Sequence, residues 1–157
     1  MITFIKAATH DVYKVISIQT QCFIEFLDRY HDDTINPTNE SAASVKRYIE
    51  DPNSVIYFIQ NDDVDIGIIK LIKIKEDVYK IDDFGILVEF RNQHLGTRAM
   101  LELQKQYDFV QTWLLSTILE EERNIHFYEK LGFKRVSEAN PVQINEQMTI
   151  VDYQLIK

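Results

Sequence analysis

Between Ile86 and Met100 an apolar run gives way to the polar turn Arg91-Asn92-Gln93-His94, and Leu95-Gly96-Thr97-Arg98 then opens a segment with helical periodicity. A helix that starts after such a turn offers unpaired N–H groups and the positive end of its dipole, a combination that suits a diphosphate. Arg91 and Arg98 add planar donor forks that match phosphate oxygens. About thirty residues later, Asn124-Ile125-His126-Phe127-Tyr128-Glu129-Lys130-Leu131-Gly132-Phe133 places a phenol, Tyr128, one turn before a glycine-terminated helix end. Two adjacent carboxylates, Asp82 and Asp83, lie on the run that enters the turn. Strand neighbours point to opposite sides, so the two are expected to face opposite sides of that strand, one of them toward any gap beside it.

These residues need elements to hold them. Ile2, Phe4 and Ala7 alternate as a short strand, and Thr9 can cap a helix that carries Val12, Val15, Ile16, Phe23 and Phe26 on one face. The acidic and aromatic stretch Asp28–Asp33, ending at Asn36-Pro37, reads as loop, and a second helix over about 39–50 stops before Pro52. Three strands follow, Ser54–Gln60, Val64–Lys75 and Val78–Val88, joined by the hairpin connections Asn61-Asp62-Asp63 and Glu76-Asp77. Leu95, Ala99, Leu103 and Tyr107 recur four apart and mark a helix to about Asp108, after which Thr112–Leu119 reads as a strand. Glu120, Glu121 and Glu122 suit a solvated helix start. Gly132 fits the left-handed position after the last turn, with Phe133 folding back. Phe133–Val136 and Gln147–Ile156 form a final hairpin across a long irregular connection.

A chain of 157 residues with 45% apolar composition suffices for one domain, 1–157, around one core. Its net charge of −8 disfavours nucleic acid and anionic membrane surfaces. Lys70 and Lys73 interrupt the apolar stretch 66–74, and the N-terminus lacks the cationic segment and long apolar run of a signal peptide, which predicts a cytoplasmic protein. Cys22 sits in an apolar helical stripe and reads as a packed thiol. The four histidines are scattered, and no metal site is expected.

The order Arg-x-x-x-x-Gly after a strand, followed by Phe-Tyr-Glu-Lys-Leu-Gly-Phe, resembles the GNAT superfamily of N-acetyltransferases, which move an acetyl group from acetyl-CoA to an amine. Arg91, His94 and Gly96 fall in register with the family's Gln/Arg-x-x-Gly-x-Gly/Ala pattern. His94 stands where the first glycine is usual, and its Cβ works against φ > 0 there. Val88 replaces a common proline, and Glu121 replaces an asparagine usual seven residues before the tyrosine. The order of elements fits the family along nearly the whole chain. The residue-level match is confined to about 86–133.

The resemblance implies an α+β fold, a mixed six- to seven-stranded sheet with helices on both faces and a splay between the fourth and fifth strands. It places acetyl-CoA, the co-substrate, along backbone groups of Ile86, Leu87 and Val88, with its diphosphate among Arg91, Asn92, Gln93, His94, Leu95, Gly96, Thr97 and Arg98. Asn124 stands near the place of the missing asparagine. The resemblance makes Tyr128 the proton source for a departing thiolate and a backbone N–H at Ile86–Leu87 the oxyanion donor. The base remains open between Asp82, Asp83 and a water chain, and the acidic residues Glu25, Asp28, Asp32 and Asp33 could instead hold a cationic substrate. The acceptor would be a small-molecule or peptide amine. The departures at His94 and Glu121 keep a non-catalytic acyl-CoA-binding module of the same fold as an alternative. Oligomeric state is not written in the sequence, although similar proteins are commonly homodimers.

Overall fold

The computed structural model describes residues 1–33, 35–136 and 140–157. Strand β1 (Ile2–Lys6) leads through a short 3-10 turn to α1 (Val12–Tyr30). After α2 (Ala42–Glu50) come β2 (Ser54–Asn61), β3 (Val64–Lys75), β4 (Val78–Ile86), α3 (Leu95–Gln106), β5 (Thr112–Ile118) and α4 (Glu122–Lys130). The short β6 (Lys134–Arg135) and β7 (Val142–Asn145) precede the last strand, β8 (Met148–Ile156). Among the described residues the sheet runs β1-β2-β3-β4-β5-β8-β6, with β7 on β8, and only the β4–β5 pair is parallel.

Alternation along the strands assigns the two faces. Ile56, Phe58 and Ile68 meet Val12, Val15, Cys22 and Phe23 of α1 and Val45 of α2, while Ile59, Ile69, Leu71 and Ile81 meet Leu95, Ala99, Met100 and Leu103 of α3. Each fully buried aliphatic or aromatic side chain contributes roughly 1.5–3 kcal/mol relative to exposure. The central strand β3 is buried on both faces from Ile66 to Leu71, and within that run the charged Lys70 is 1% exposed.

The expected splay between the fourth and fifth strands is present. Parallel pairing of β4 with β5 lasts only from Val78↔Thr112 to Ile81↔Leu115. Across β3, Leu71 is paired with Ile81 and Lys70 with Asp83, so Asp82 is an extra residue in β4. Such a bulge bends its strand and increases the local twist. β5 stays paired with β8 as far as Ile118↔Ile150, and the two parallel strands diverge.

Four expectations change. Asp28, Arg29 and Tyr30 belong to α1 and not to a loop, because Tyr30 packs on Ile118 and Met148 and Arg29 pairs with Glu121. The helix ends at His31 in a left-handed conformation, φ 54. In the following segment Thr34 lies outside the described residues. β4 stops at Ile86, and Val88 lies in a 3-10 turn, Val88–Phe90, exposed to solvent. Of the connection read as irregular, residues 137–139 lie outside the described part, while 142–145 pair with β8; with β6 this makes eight strands among the described residues, where six or seven were expected. The bulge breaks the alternation expected of Asp82 and Asp83, and both line one cavity.

Gly67 marks a close approach of β3 to β4, since a Cβ there would lie 2.1 Å from the Gly85 carbonyl oxygen. Backbone on both strands would have to move. Gly67→Ala is expected to lower unfolding free energy by about 3 kcal/mol, measurable by urea unfolding.

Candidate functional site

The first cavity, about 520 Å³, opens where β4 leaves β5. Its floor is Phe84, Gly85 and Ile86, and Cys22, Phe23 and Phe26 of α1 cover one side. Asn92, His94, Leu95, Gly96 and Thr97 form one end, and α4 supplies Arg123, Asn124, His126, Phe127, Tyr128 and Lys130. The Leu87 N–H donates to Ile66 O at 2.8 Å. Polar groups in an antiparallel ladder alternate direction, so the N–H and C=O of Ile86 point toward the gap. Of the two amides expected as oxyanion donors, Ile86 therefore has its N–H free for the role, while Leu87 spends its own on β3.

The start of α3 leaves its first amides without intrahelical partners. The first intrahelical bond runs from Arg98 N to His94 O at 3.1 Å, and His94 makes no side-chain cap. The N–H groups of Leu95, Gly96 and Thr97 thus have no acceptor within the helix. A turn through two left-handed residues, Asn92 at φ 61 and His94 at φ 60, aims them outward. His94 adopts the geometry that its Cβ was expected to resist, a conformation in which histidine is enriched but which still strains an L-residue. These amides and the free edge of β4 suit the diphosphate and the amide-bearing arm of acetyl-CoA.

Arg91, expected to contact phosphate, lines the cavity with its guanidinium already engaged within the protein. Its Nε donates to Ile86 O at 3.0 Å, and its two terminal nitrogens reach Glu25 at 2.5 Å and Cys22 O at 3.1 Å. The guanidinium braces the turn against α1. Leu87, Val88, Gln93 and Arg98 do not line the cavity. Sequence reasoning passed over Arg123, His126 and Lys130, although positions separated by three and four share one helical stripe. The Cys22 thiol is buried, and burial pushes its pKa up to about 12, so it is a packed thiol as expected.

Tyr128 is held by the helix end that follows it. Phe133 N donates to Tyr128 O and Gly132 N to Glu129 O, with Gly132 at φ 99, and the Phe133 ring sits edge-on to Tyr128 at 5.8 Å. This is the Schellman arrangement with its apolar contact. Phe127 stacks on Phe84 at 5.8 Å. Burial, and after it the charge of Asp83, pushes the Tyr128 phenol up from its ordinary value, so it stays protonated.

A second cavity of about 730 Å³ meets the first at Phe23, Phe26, Phe84, Asn124 and Tyr128. Asp82 and Asp83 line it with Asp32, Asp33 and Glu40, facing Lys70 and Lys80. Its opposite wall is apolar, built from Ile118, Ile144, Met148 and Ile150. Burial pushes Asp83 up to about 6; Lys70 opposes this, and the charges of Asp82 and Glu40 reinforce it. Asp28 and Glu25 lie outside this cavity. Glu121 corrects the expectation of a solvated glutamate run: it is 7% exposed and accepts from Arg29 and, at 2.9 Å, from the Tyr30 hydroxyl. Its neighbours Glu120 and Glu122 are exposed.

The model of the acetyltransferase (GNAT) family matches residues 12–133. The chain belongs to the GNAT acetyltransferase family. Among curated proteins it is similar to the uncharacterized protein YrkN of Bacillus subtilis (strain 168), 29% identical over 110 residues that cover 69% of this chain. The match spans 60% of that relative's length. An acetyltransferase from Thermus thermophilus superposes with a TM-score of 0.77 at 12% identity, over 100% of this chain and 97% of its own. The PaiA N-acetyltransferase of Thermoplasma acidophilum, in complex with coenzyme A, gives 0.74 at 15% identity, over 100% and 99%. These likenesses establish the fold. Among the described residues no helix is long and apolar enough to cross a membrane, and no group of three or more His, Cys, Asp or Glu could hold a metal ion.

Replacing the left-handed His94 by glycine removes its strain. His94→Gly is expected to stabilise the protein by up to about 1 kcal/mol in urea unfolding and to tighten acetyl-CoA binding in calorimetry.

Proposed function

We propose that the chain transfers an acetyl group from acetyl-CoA to a primary amine of a small molecule or peptide, by direct attack while both substrates are bound. The observation that carries this reading is the junction of the two cavities at Tyr128, Asn124 and Phe84, beside the free edge of β4. One cavity has backbone amides for a nucleotide thioester. The other has carboxylates for a cation. An acyl group laid along Ile86 would end where an amine from the second cavity can reach it.

Each residue then has one task. An ammonium, with a pKa of about 10.4, carries no lone pair and must lose a proton before attack. Asp83 takes that proton, its carboxylate facing the amine cavity. The Ile86 N–H donates to the carbonyl oxygen as negative charge develops there. The Tyr128 hydroxyl, which burial keeps protonated until then, gives its proton to the departing thiolate, and the second N–H proton that the nitrogen loses as the amide forms restores the phenol. Asp82, beside it on the bulge, adds negative charge that favours the cationic form of the acceptor on entry. The apolar wall at Ile118, Ile144, Met148 and Ile150 favours an amine that bears a hydrocarbon portion.

Thiol release from acetyl-CoA with a panel of polyamines, amino acids, aminoglycosides and peptides tests the reading. Tyr128→Phe should lower kcat by about 100-fold while calorimetry shows acetyl-CoA affinity unchanged; unaltered kcat would remove its role. For the native protein kcat/KM should rise as pH rises through about 6, because the proton acceptor must be ionised. Asp83→Asn should abolish that limb. Binding of acetyl-CoA without thiol release for any amine would contradict turnover and support a non-catalytic acyl-CoA-binding module.

A further inference from the structure

Lys70 is the least expected charge in the molecule. It sits in the doubly buried run of β3, 1% exposed, on the face covered by α1 and α2. Buried ammonium groups are rare because desolvation costs more than ordinary packing returns, and a hydrocarbon side chain would fill this position more cheaply. What surrounds Lys70 is also specific. Its Nζ lies 2.6 Å from Glu40 Oε1, 3.5 Å from Asp83 Oδ2 and 5.0 Å from the centroid of the Tyr48 ring. The Ser44 hydroxyl holds the other Glu40 oxygen at 2.8 Å. Lys70 and Asp83 stand directly opposite each other across β3 and β4, so the pairing is fixed by sheet register and not by a flexible surface contact.

We propose that Lys70 is a positioning residue that keeps the Asp83 carboxylate ionised in the amine cavity, with Glu40 as the opposing charge that limits its effect. The inference rests on Asp83 as the proton acceptor. The groups around Asp83 act in opposite directions. Lys70 from β3 favours the ionised form; Glu40, from the segment before α2, and Asp82, from β4 itself, disfavour it. Tyr48 of α2 and Tyr128 of α4 face the same carboxylate with neutral phenols that burial and neighbouring carboxylates hold protonated. Lys80, Asp32 and Asp33 complete the charges on the cavity wall. A carboxylate enclosed in this way without Lys70 would hold its proton at neutral pH and could not accept another from an ammonium. The second anion has a purpose in this arrangement, since an undiluted lysine would depress the carboxylate until it was too weak a base. Proton transfer itself is simple: the N–H bond of the acceptor ammonium breaks, an O–H bond forms on Asp83, and after product release the proton leaves to cavity water.

The test is the sign of two opposite shifts. In pH profiles of kcat/KM, Lys70→Met should move the acidic limb upward by about 1–3 pH units, Glu40→Gln should move it downward, and Lys70→Arg should leave it near the native position. A purely structural role would lower activity at every pH without moving the limb. If Lys70→Met alone fails to fold, the pair Lys70→Met with Glu40→Met removes both charges, and the limb should still rise, by less than in the single variant. Titration of the Asp83 carboxyl carbon by NMR in the same folded variants reads the effect without catalysis. An Asp83 titration that stays put in the Lys70→Met variants overturns the inference. A limb that survives Asp83→Asn overturns the assignment of Asp83 as base, and the NMR titration then still decides the effect of Lys70.

Discussion

β4 cannot follow β5 beyond Ile81, and most of what the molecule offers for chemistry descends from that constraint. The extra residue at Asp82 turns the strand while β5 continues along β8, so a sheet that would otherwise be closed acquires a slot with free backbone groups on one side. Unpaired peptide groups away from water are costly, which makes such a slot persistent only if something else completes it. The helix that follows β4 begins at the end of the slot with three further free amides. An extended, amide-bearing ligand with an anionic head has the shape and the hydrogen-bonding pattern to complete both.

The same bulge brings the charges to the site. By breaking the alternation of side chains it turns Asp82 and Asp83 into one cavity, and it keeps Asp83 in register with Lys70 on the neighbouring strand. In a low-dielectric setting each added charge changes the protonation of its neighbours more than it would at the surface. Tyr128 belongs to the same economy of protons, since its phenol is buried near the carboxylate and positioned by a glycine-terminated helix end. Farther out, Arg91 with Glu25, and Arg29 with Glu121, tie α1 to the turn and to the start of α4, so the roof over both cavities is fixed by ion pairs that cross between elements.

Local patterns carried much of this into the sequence. The periodicity of α3, the strands over 54–86, the turn at 91–94 and the Gly132 helix end could be read because each depends on residues within one or two turns of one another. Family resemblance supplied the splay, which no local pattern announces. Pairings between distant segments were not legible. Arg91 looked like a phosphate ligand because its partners, Glu25 and Cys22 O, are more than sixty residues away. Glu121 looked solvated for the same reason, and α1 looked shorter because Tyr30 is polar enough to suit a loop until Ile118 and Met148 cover it. Lys70 looked like an interruption in an apolar strand. Only the cross-strand register shows it facing Asp83. The bulge at Asp82 was invisible because extra residues in a ladder are defined by the partner strand.

In the proposed reaction the free edge of β4 and the first amides of α3 grip the nucleotide thioester. An amide-resolved NMR titration with acetyl-CoA addresses it directly. The Ile86, Leu95, Gly96 and Thr97 amide resonances are expected to move together and their hydrogen exchange to slow on binding, while the Leu87 amide, already bonded to β3, changes little. Saturable binding that leaves those four amides unperturbed, or no binding at all, would contradict it.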